Sequence, residues 1–361
     1  MSAQPSIAER RARLLERLFP KGVPRLWCPP LTHYDNSGAL DRHRIVAHLR
    51  HLSKHVRGFL IPGSTGDGWE LTSEEVLQLL EVTLPEIKTS GGHVLIGALE
   101  TDAEETFKAV HQIAAWLKSR ADEPPVAPRP SPLAPSPSAS LPTPVCGFTI
   151  CAPRGKDVSQ EVMGRALADV LQTGLPIALY QLPQMTQNEF SGELASNLAS
   201  RFDNFIFFKD SSGADQVILS GKDLEGVFTT RGGEGDYVRW PKLAGGPYEG
   251  FLLGSANCFA AELRQMIEDI SAARWDAARK MSARLTGVVK EVSRLVAQVS
   301  SGNAFANANK AIDHFFAHGP KAAFIPPPRL HSGSRLQSEL ISTTGEMLAR
   351  YELMPTRGYL E

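Results

Sequence analysis

Along most of the chain, short apolar runs alternate with longer stretches whose apolar residues recur at helical spacing. The runs at 25–32, 58–62, 93–99, 145–151, 176–180, 205–208, 226–230 and 250–255 predict eight strands. Helical periods come after most of them, from Asp41 to about Val56, Thr72 to about Lys88, Ala103 to Arg120, Ser159 to Gln172, Gly192 to Arg201, Ala214 to Leu219 and Ala260 to Ala272. Asp41 is a candidate N-cap, and Thr72-Ser73-Glu74-Glu75 starts a helix by satisfying its orphan amides. Short apolar strands alternating with helices predict an α/β fold, a (β/α)8 TIM barrel. An open doubly wound sheet is the alternative, but no Gly-x-Gly-x-x-Gly comes after the first strand.

The barrel is assigned to residues 25–272. Residues 1–24 form an N-terminal helical extension, with helical period from Ser6 to Phe19. Its arginines resemble those of a transit peptide, yet Glu9 and Glu16 favour a helix packed on the main body. Residues 273–361 form a C-terminal helical region without further strands. Within the barrel, residues 123–144 are dominated by Pro, Ser and Ala and have no hydrophobic period, which predicts an extended surface insertion. A spacer fits that composition better than a partner-binding motif.

Composition narrows the function classes. The 361 residues are 42% hydrophobic and 21% charged, enough for one large core. Net charge is -1 and no basic run carries interleaved aromatics, so nucleic acid is not an expected partner. Cys28, Cys146, Cys151 and Cys258 lack metal-ligand spacing and read as buried free thiols of a reducing compartment. No apolar stretch has the length of a membrane span and no signal-peptide core is present. A cytoplasmic protein is expected, with a mitochondrial one the lesser alternative.

Barrel chemistry is placed at the C-terminal ends of strands. The sixth run, Phe205-Ile206-Phe207-Phe208, leads into Lys209, where a turn-forming Asp-Ser-Ser-Gly takes the chain out of the sheet. Burial there disfavours the ammonium and leaves a neutral amine able to attack a carbonyl. The plainer reading is a lysine snorkelling to solvent. The fifth strand ends in Tyr180, a phenol able to shuttle a proton, or else a core residue with its hydroxyl satisfied. The second ends in Gly63-Ser64-Thr65-Gly66, where hydroxyls and amides form an anion-sized cradle, or merely a turn. Amine, phenol and cradle on one rim are harder to dismiss together than singly.

With those motifs in order, the sequence resembles the dihydrodipicolinate synthase and N-acetylneuraminate lyase family of class I Schiff-base aldolases, from about Leu26 to Leu263. The family's Gly-Thr-Thr-Gly-Glu loop is similar to Gly63-Ser64-Thr65-Gly66-Asp67, and its Tyr-Asn-x-Pro strand end to Tyr180-Gln181-Leu182-Pro183. Its Lys-Asp-Ser-Ser-Gly signature is matched letter for letter by Lys209-Asp210-Ser211-Ser212-Gly213, and Gly254-Ser255-Ala256-Asn257 resembles its eighth-strand end. The resemblance implies a homo-oligomer, dimeric or tetrameric. It implies that Lys209 forms an imine with pyruvate or a related 2-oxo acid, that Ser64 and Thr65 hold the carboxylate, and that Tyr180 moves protons. Neither metal nor cofactor is implied, because the protonated imine is the electron sink.

The departures bear on substrate. The family usually carries Pro-Tyr-Tyr after the fourth strand, whose second Tyr often enters a neighbouring subunit's site. Here the residues are Pro153-Arg154-Gly155, so Arg154 or Lys156 is expected to offer positive charge instead. Dihydrodipicolinate synthases carry an Arg where this chain has Met185, and Asp67 is one carbon shorter than the family's Glu. The expected function is a Schiff-base lyase or synthase acting by aldol cleavage, condensation or dehydration, and not a true dihydrodipicolinate synthase. The alternative is a catalytically inactive barrel that binds or regulates.

Overall fold

Eight parallel strands hydrogen-bond in chain order, and the last closes onto the first. They are β1 (Leu26–Cys28), β2 (Gly58–Ile61), β3 (His93–Gly97), β4 (Val145–Cys151), β5 (Ile177–Gln181), β6 (Phe205–Asp210), β7 (Phe228–Arg231) and β8 (Gly250–Leu252). The computed structural model describes residues 4–120 and 141–361. Of the insertion expected at 123–144, all but 141–144 lies outside the described residues.

The helices are α1 (Ile7–Leu18), α2 (Arg42–Leu52), α3 (Ser73–Ser90), α4 (Ala103–Ser119), α5 (Gln160–Leu171), α6 (Pro183–Thr186), α7 (Gly192–Arg201), α8 (Gln216–Leu219), α9 (Ala256–Ser271), α10 (Trp275–Val296), α11 (Ala304–His318) and α12 (Ser338–Arg350). Both expected caps form. Asp41 accepts from the Arg44 amide, and Thr72 and Glu75 exchange hydrogen bonds as a capping box. Four short elements carry no helical period long enough to be legible: the single-turn α6 and the 3-10 turns Ser64–Gly66, Lys242–Ala244 and Gly319–Phe324. The described fold is thus a (β/α)8 barrel with an N-terminal helix and a C-terminal helical extension. No helix among the described residues is long and apolar enough to cross a membrane, and all the cysteines are buried and free.

Strand limits differ from expectation in an informative way. β1 and β8 are shorter than their apolar runs, because the chain leaves the sheet at Pro29 and at Leu253. β6 is longer: Lys209 and Asp210 stay in the ladder, paired with Thr230 and Arg231 on one side and with Tyr180 and Gln181 on the other. Lys209 is therefore held by sheet on both flanks and does not mark the point where the chain departs. A register shift against β5 leaves Ile206 as an extra residue, with Phe205 opposite Ile177 and Phe207 opposite Ala178. The shift puts Ile206 and Phe207 both inside the barrel, with Trp27, Leu60, Leu95 and Leu252, while Phe205 and Phe208 face the helix layer. With a period of two, Lys209 comes after Phe207 on the inner side.

α1 closes the other end of the barrel. Ser6 and Glu9 cap it, and Leu14, Leu15, Leu18 and Phe19 pack on the inner apolar layer, with Phe19 edge-on to Trp27. The expected helix packed on the main body is therefore a plug. Arg11, fully buried, reaches across from it. Its guanidinium donates to the carbonyls of Phe205 at 2.7 Å, Ala199 at 2.6 Å and Phe202 at 2.7 Å, and to that of Glu225. Burial lowers its pKa to about 10, against the opposing pull of the Asp203, Glu225 and Asp223 carboxylates. Replacing it (Arg11→Met) strands several buried carbonyls, each costing about 1–3 kcal/mol. Equilibrium urea unfolding should show a loss of about 3 kcal/mol or more; a loss under about 1 kcal/mol would mean that water reaches those carbonyls.

Candidate functional site

Lys209 stands one layer above the apolar floor of Trp27, Phe207 and Leu252, with 4% of its surface exposed. Burial lowers its pKa to about 7, against a weaker opposing pull from Cys151 and Glu234. Its Nζ lies 3.9 Å from the centroid of the Tyr180 ring on the adjacent strand. The snorkelling reading does not hold, because the amine ends inside the barrel mouth.

The residues after Lys209 turn the chain and keep the mouth open. Asp210 accepts from the Ser212 amide at 2.9 Å and from its hydroxyl at 2.6 Å, an Asx turn that leaves Ser211 on the cavity wall. Gly232, at the end of β7, passes so close that a Cβ there would stand 2.0 Å from Ser211 Oγ and 2.9 Å from Lys209 Cε. Arg231 beside it makes a two-point pair with Asp215, at 2.9 and 3.0 Å, and Tyr248 donates to Asp215 at 2.6 Å. That buried pair ties the β6 turn to β7.

Ser64 and Thr65 occupy the first 3-10 turn, both buried. The first amides of a helical turn have no acceptor within it, so this loop presents N–H groups as well as hydroxyls. Thr32 donates to the Gly66 carbonyl at 2.6 Å and Asn303 to the Ser64 carbonyl at 3.2 Å. Asp67, in left-handed conformation, is buried and takes 2.6 and 3.0 Å hydrogen bonds from Lys310 of α11 and from the Tyr34 hydroxyl. The shorter carboxylate thus remains a loop anchor. Ser64 Oγ lies 3.3 Å from the Tyr180 hydroxyl and accepts from the Trp69 indole N–H at 2.7 Å. Burial holds the Tyr180 phenol above its ordinary pKa, partly offset by Ser64.

Lys209, Tyr180, Ser64 and Thr65 line one cavity of about 350 Å³. Its remaining wall includes Gln184, Ser211, Ser212 and Glu234 from the barrel loops, and Ser293, Phe305 and Asn309 from α10 and α11. Glu234 is oriented by the Ser255 amide and hydroxyl and by Tyr237. Arg154 and Lys156 do not meet the expectation placed on them. Both are exposed and neither lines the cavity, because Asn188 pins that loop outward through the Pro153 and Gly155 carbonyls. Of the cationic residues among those described, only Lys209 and Arg231 reach the cavity. The contributions of Trp69, Gly232, Glu234 and α11 are not evident from the sequence pattern. The clearest missed signal is in α11, where Asn307, Asn309, Lys310 and Asp313 break an otherwise apolar helix.

Among the described residues one cluster has metal-ligand chemistry, the buried His33, His48 and Asp313. Its atoms are already engaged. His33 Nε2 bonds His48 Nδ1 at 3.0 Å, His48 Nε2 bonds the Asn257 carbonyl at 3.0 Å, and Asp313 pairs with Arg44 at 2.9 Å and takes the Tyr359 hydroxyl at 3.1 Å. Burial, the largest cause, holds the His33 imidazole neutral, together with Arg44, His48 and Lys310. The cluster is a buried junction of α2, α11 and the C-terminal residues.

Two measurements check this construction. In Gly232→Ala the added methyl must displace Ser211 or the lysine chain, so the reactivity of Lys209 toward a carbonyl reagent should fall at least ~10-fold. Unfolding should change little, and unaltered reactivity would contradict the close approach. Lys310→Met leaves the Asp67 carboxylate buried beside Tyr34 alone, and urea unfolding should register a loss of about 3–5 kcal/mol. Adding Asp67→Asn should recover about half of it, since the uncompensated charge is then gone.

No family model matches the chain. Among curated proteins it is 23% identical over 266 residues to the 4-hydroxy-tetrahydrodipicolinate synthase of Bacillus subtilis, covering 73% of this chain and 81% of that protein. It is 28% identical over 207 residues to the same enzyme of Synechococcus, covering 56% and 59%. Among solved structures, a prophage protein of the dihydrodipicolinic acid synthase family from E. coli K12, in complex with pyruvate, superposes with a TM-score of 0.68 at 19% identity, covering 91% of this chain and 99% of that one. The 2-keto-3-deoxygluconate aldolase of Sulfolobus, complexed with D-KDPG, does so at 0.67 and 15% identity, covering 92% and 99%. The solved structures share the barrel with this chain, and in sequence the chain is similar to 4-hydroxy-tetrahydrodipicolinate synthases at under 30% identity.

Proposed function

We propose that this chain is a class I, lysine-imine lyase or synthase acting on pyruvate or a related 2-oxo acid through Lys209. The carrying observation is the buried amine with a pKa lowered to about 7, set beside Tyr180 and the Ser64–Thr65 turn in one cavity. At pH 7 an ordinary lysine is neutral in roughly one molecule in a few thousand, whereas a pKa near 7 leaves about half of the amine ready to attack. The pyruvate complex of the E. coli relative and the Sulfolobus aldolase support the same reading.

The groups present set the steps. The 2-oxo carboxylate sits on the amides and hydroxyls of Ser64 and Thr65, which puts the C2 carbonyl within reach of Lys209. The neutral amine adds to C2, Tyr180 passes a proton to the departing hydroxyl, and water leaves as the protonated imine forms. Loss of a C3 proton, or cleavage of the C3–C4 bond, places the electron pair on the enamine, which the imine nitrogen accommodates. Addition to an aldehyde is the same path reversed. The apolar floor excludes water beneath the nitrogen.

The distal wall selects the second substrate. Arg231 is occupied by Asp215 and the Gly233 carbonyl, and Met185 packs with Tyr180 and Leu182, so among the described residues no free cation there meets a second carboxylate. Hydroxyl, amide and carboxylate groups remain, which suit a hydroxylated aldehyde or sugar acid and argue against dihydrodipicolinate synthesis proper. A barrel retained only for binding would have no need of the intact amine, phenol and cradle.

The test is trapping with pyruvate and cyanoborohydride, read by mass spectrometry of the Lys209 peptide. A single adduct should form, with an initial rate half-maximal near pH 7 and falling about tenfold per unit below pH 6, as the amine protonates. No adduct on Lys209, or full turnover by Lys209→Arg, would sink the reading.

A further inference from the structure

Trp69 sits beyond the Ser64 turn, half-buried against Leu99, Cys151, Tyr180 and Leu182. The left-handed Asp67 and the 3.0 Å bond from the Gly68 amide to the Gly63 carbonyl bring the chain back on itself at this point. The indole N–H then donates to Ser64 Oγ at 2.7 Å, and that oxygen lies 3.3 Å from the Tyr180 hydroxyl. The result is a hydrogen-bonded line, Trp69 to Ser64 to Tyr180, that ends beside Lys209, all within one chain. No side chain of the loop after β4 takes part, since Arg154 and Lys156 are exposed.

The order of donors gives the line a direction. An indole N–H donates and never accepts, whereas a serine hydroxyl carries one proton and two lone pairs. With Trp69 on one lone pair, the Ser64 proton is left to face Tyr180 or a bound carboxylate, and a proton arriving at Ser64 has no exit through Trp69. The donated bond also polarises the Ser64 hydroxyl and makes it the stronger donor. From this geometry we infer that Trp69 is a positioning residue for the reaction: it fixes Ser64 so that proton transfer runs between Tyr180 and the substrate and stops there. The inference rests on the imine reading of the site.

The reaction needs only pyruvate to test it. Exchange of the pyruvate methyl protons with D2O reports enamine formation, and cyanoborohydride trapping reports the imine. Trp69→Phe keeps an aromatic ring and loses the N–H. Exchange at saturating pyruvate should fall ~10-fold, while half-saturating pyruvate, the amount of adduct trapped at completion and the thermal midpoint stay close to wild type. In a Ser64→Ala background the same change should alter exchange by less than about twofold, because Trp69 acts through the serine. Unchanged exchange in Trp69→Phe overturns the inference, and so does an equal fall in both backgrounds, which is the mark of a packing effect. A wild-type protein that traps no pyruvate overturns the imine reading and this inference with it, whereas a wild-type adduct with an indifferent Trp69 removes the inference alone.

Discussion

The removal of water from around one amine is the constraint to which the other parts of the site answer. A lysine two residues beyond Phe207 on the inner side of β6 has apolar side chains below it and a Tyr180 ring beside it. Desolvating an ammonium without a carboxylate partner is costly, and the group responds by giving up its proton. The surrounding charges are arranged to leave that outcome in place. Asp210 and Asp215, the acids that come after Lys209 in the chain, are turned toward Ser212, Arg231 and Tyr248. Paired with the lysine, either would restore its charge and remove its nucleophilicity.

The barrel alone does not complete this environment. α11 lies across the mouth, buried from Ala306 to Ala317, and supplies Asn309 to the cavity wall and Lys310 to the loop that carries Ser64 and Thr65. A buried ion pair adds little net stability over an apolar pair of equal volume. It does have narrow geometry, and here it fixes a loop at the barrel mouth to a helix 243 positions away in sequence. Three residues further along α11, Asp313 gathers Arg44, His48 and Tyr359 into the junction that fastens the C-terminal residues. The helical extension is best understood as part of the site's wall and support.

Much of this is legible in sequence because it is local. Strand and helix alternation, the Thr72 capping box, and the strand-end placement of Lys209, Tyr180 and Ser64–Thr65 depend on neighbours a few residues apart. The orientation of Lys209 is different. It turns on the extra residue Ile206, since without that bulge the period of two from Phe205 would carry Lys209 to the helix side. No pattern in Phe205-Ile206-Phe207-Phe208 announces which residue is unpaired. Trp69 and Lys310 are silent for a related reason: each acts through a partner reached by tertiary folding, and a Trp after a glycine loop looks like any core residue. Arg154 misleads in the opposite sense, because its position suggests charge at the mouth while Asn188 turns its loop away.

The plug at the barrel floor has a bearing on the order in which the chain comes together. The acceptors of Arg11 are carbonyls of Ala199, Phe202, Phe205 and Glu225, so a helix synthesised before any strand has its partners in the last third of the barrel. Until β6 and β7 have been made, α1 has neither its polar sockets nor a finished apolar surface for Leu14, Leu15 and Leu18 to cover. Contacts of such long sequence separation form late and slow folding, and the amphipathic helix waits exposed in the interval. Its docking is then the step that seals the barrel, a closure that registers the arrival of the distant strands rather than preparing for them.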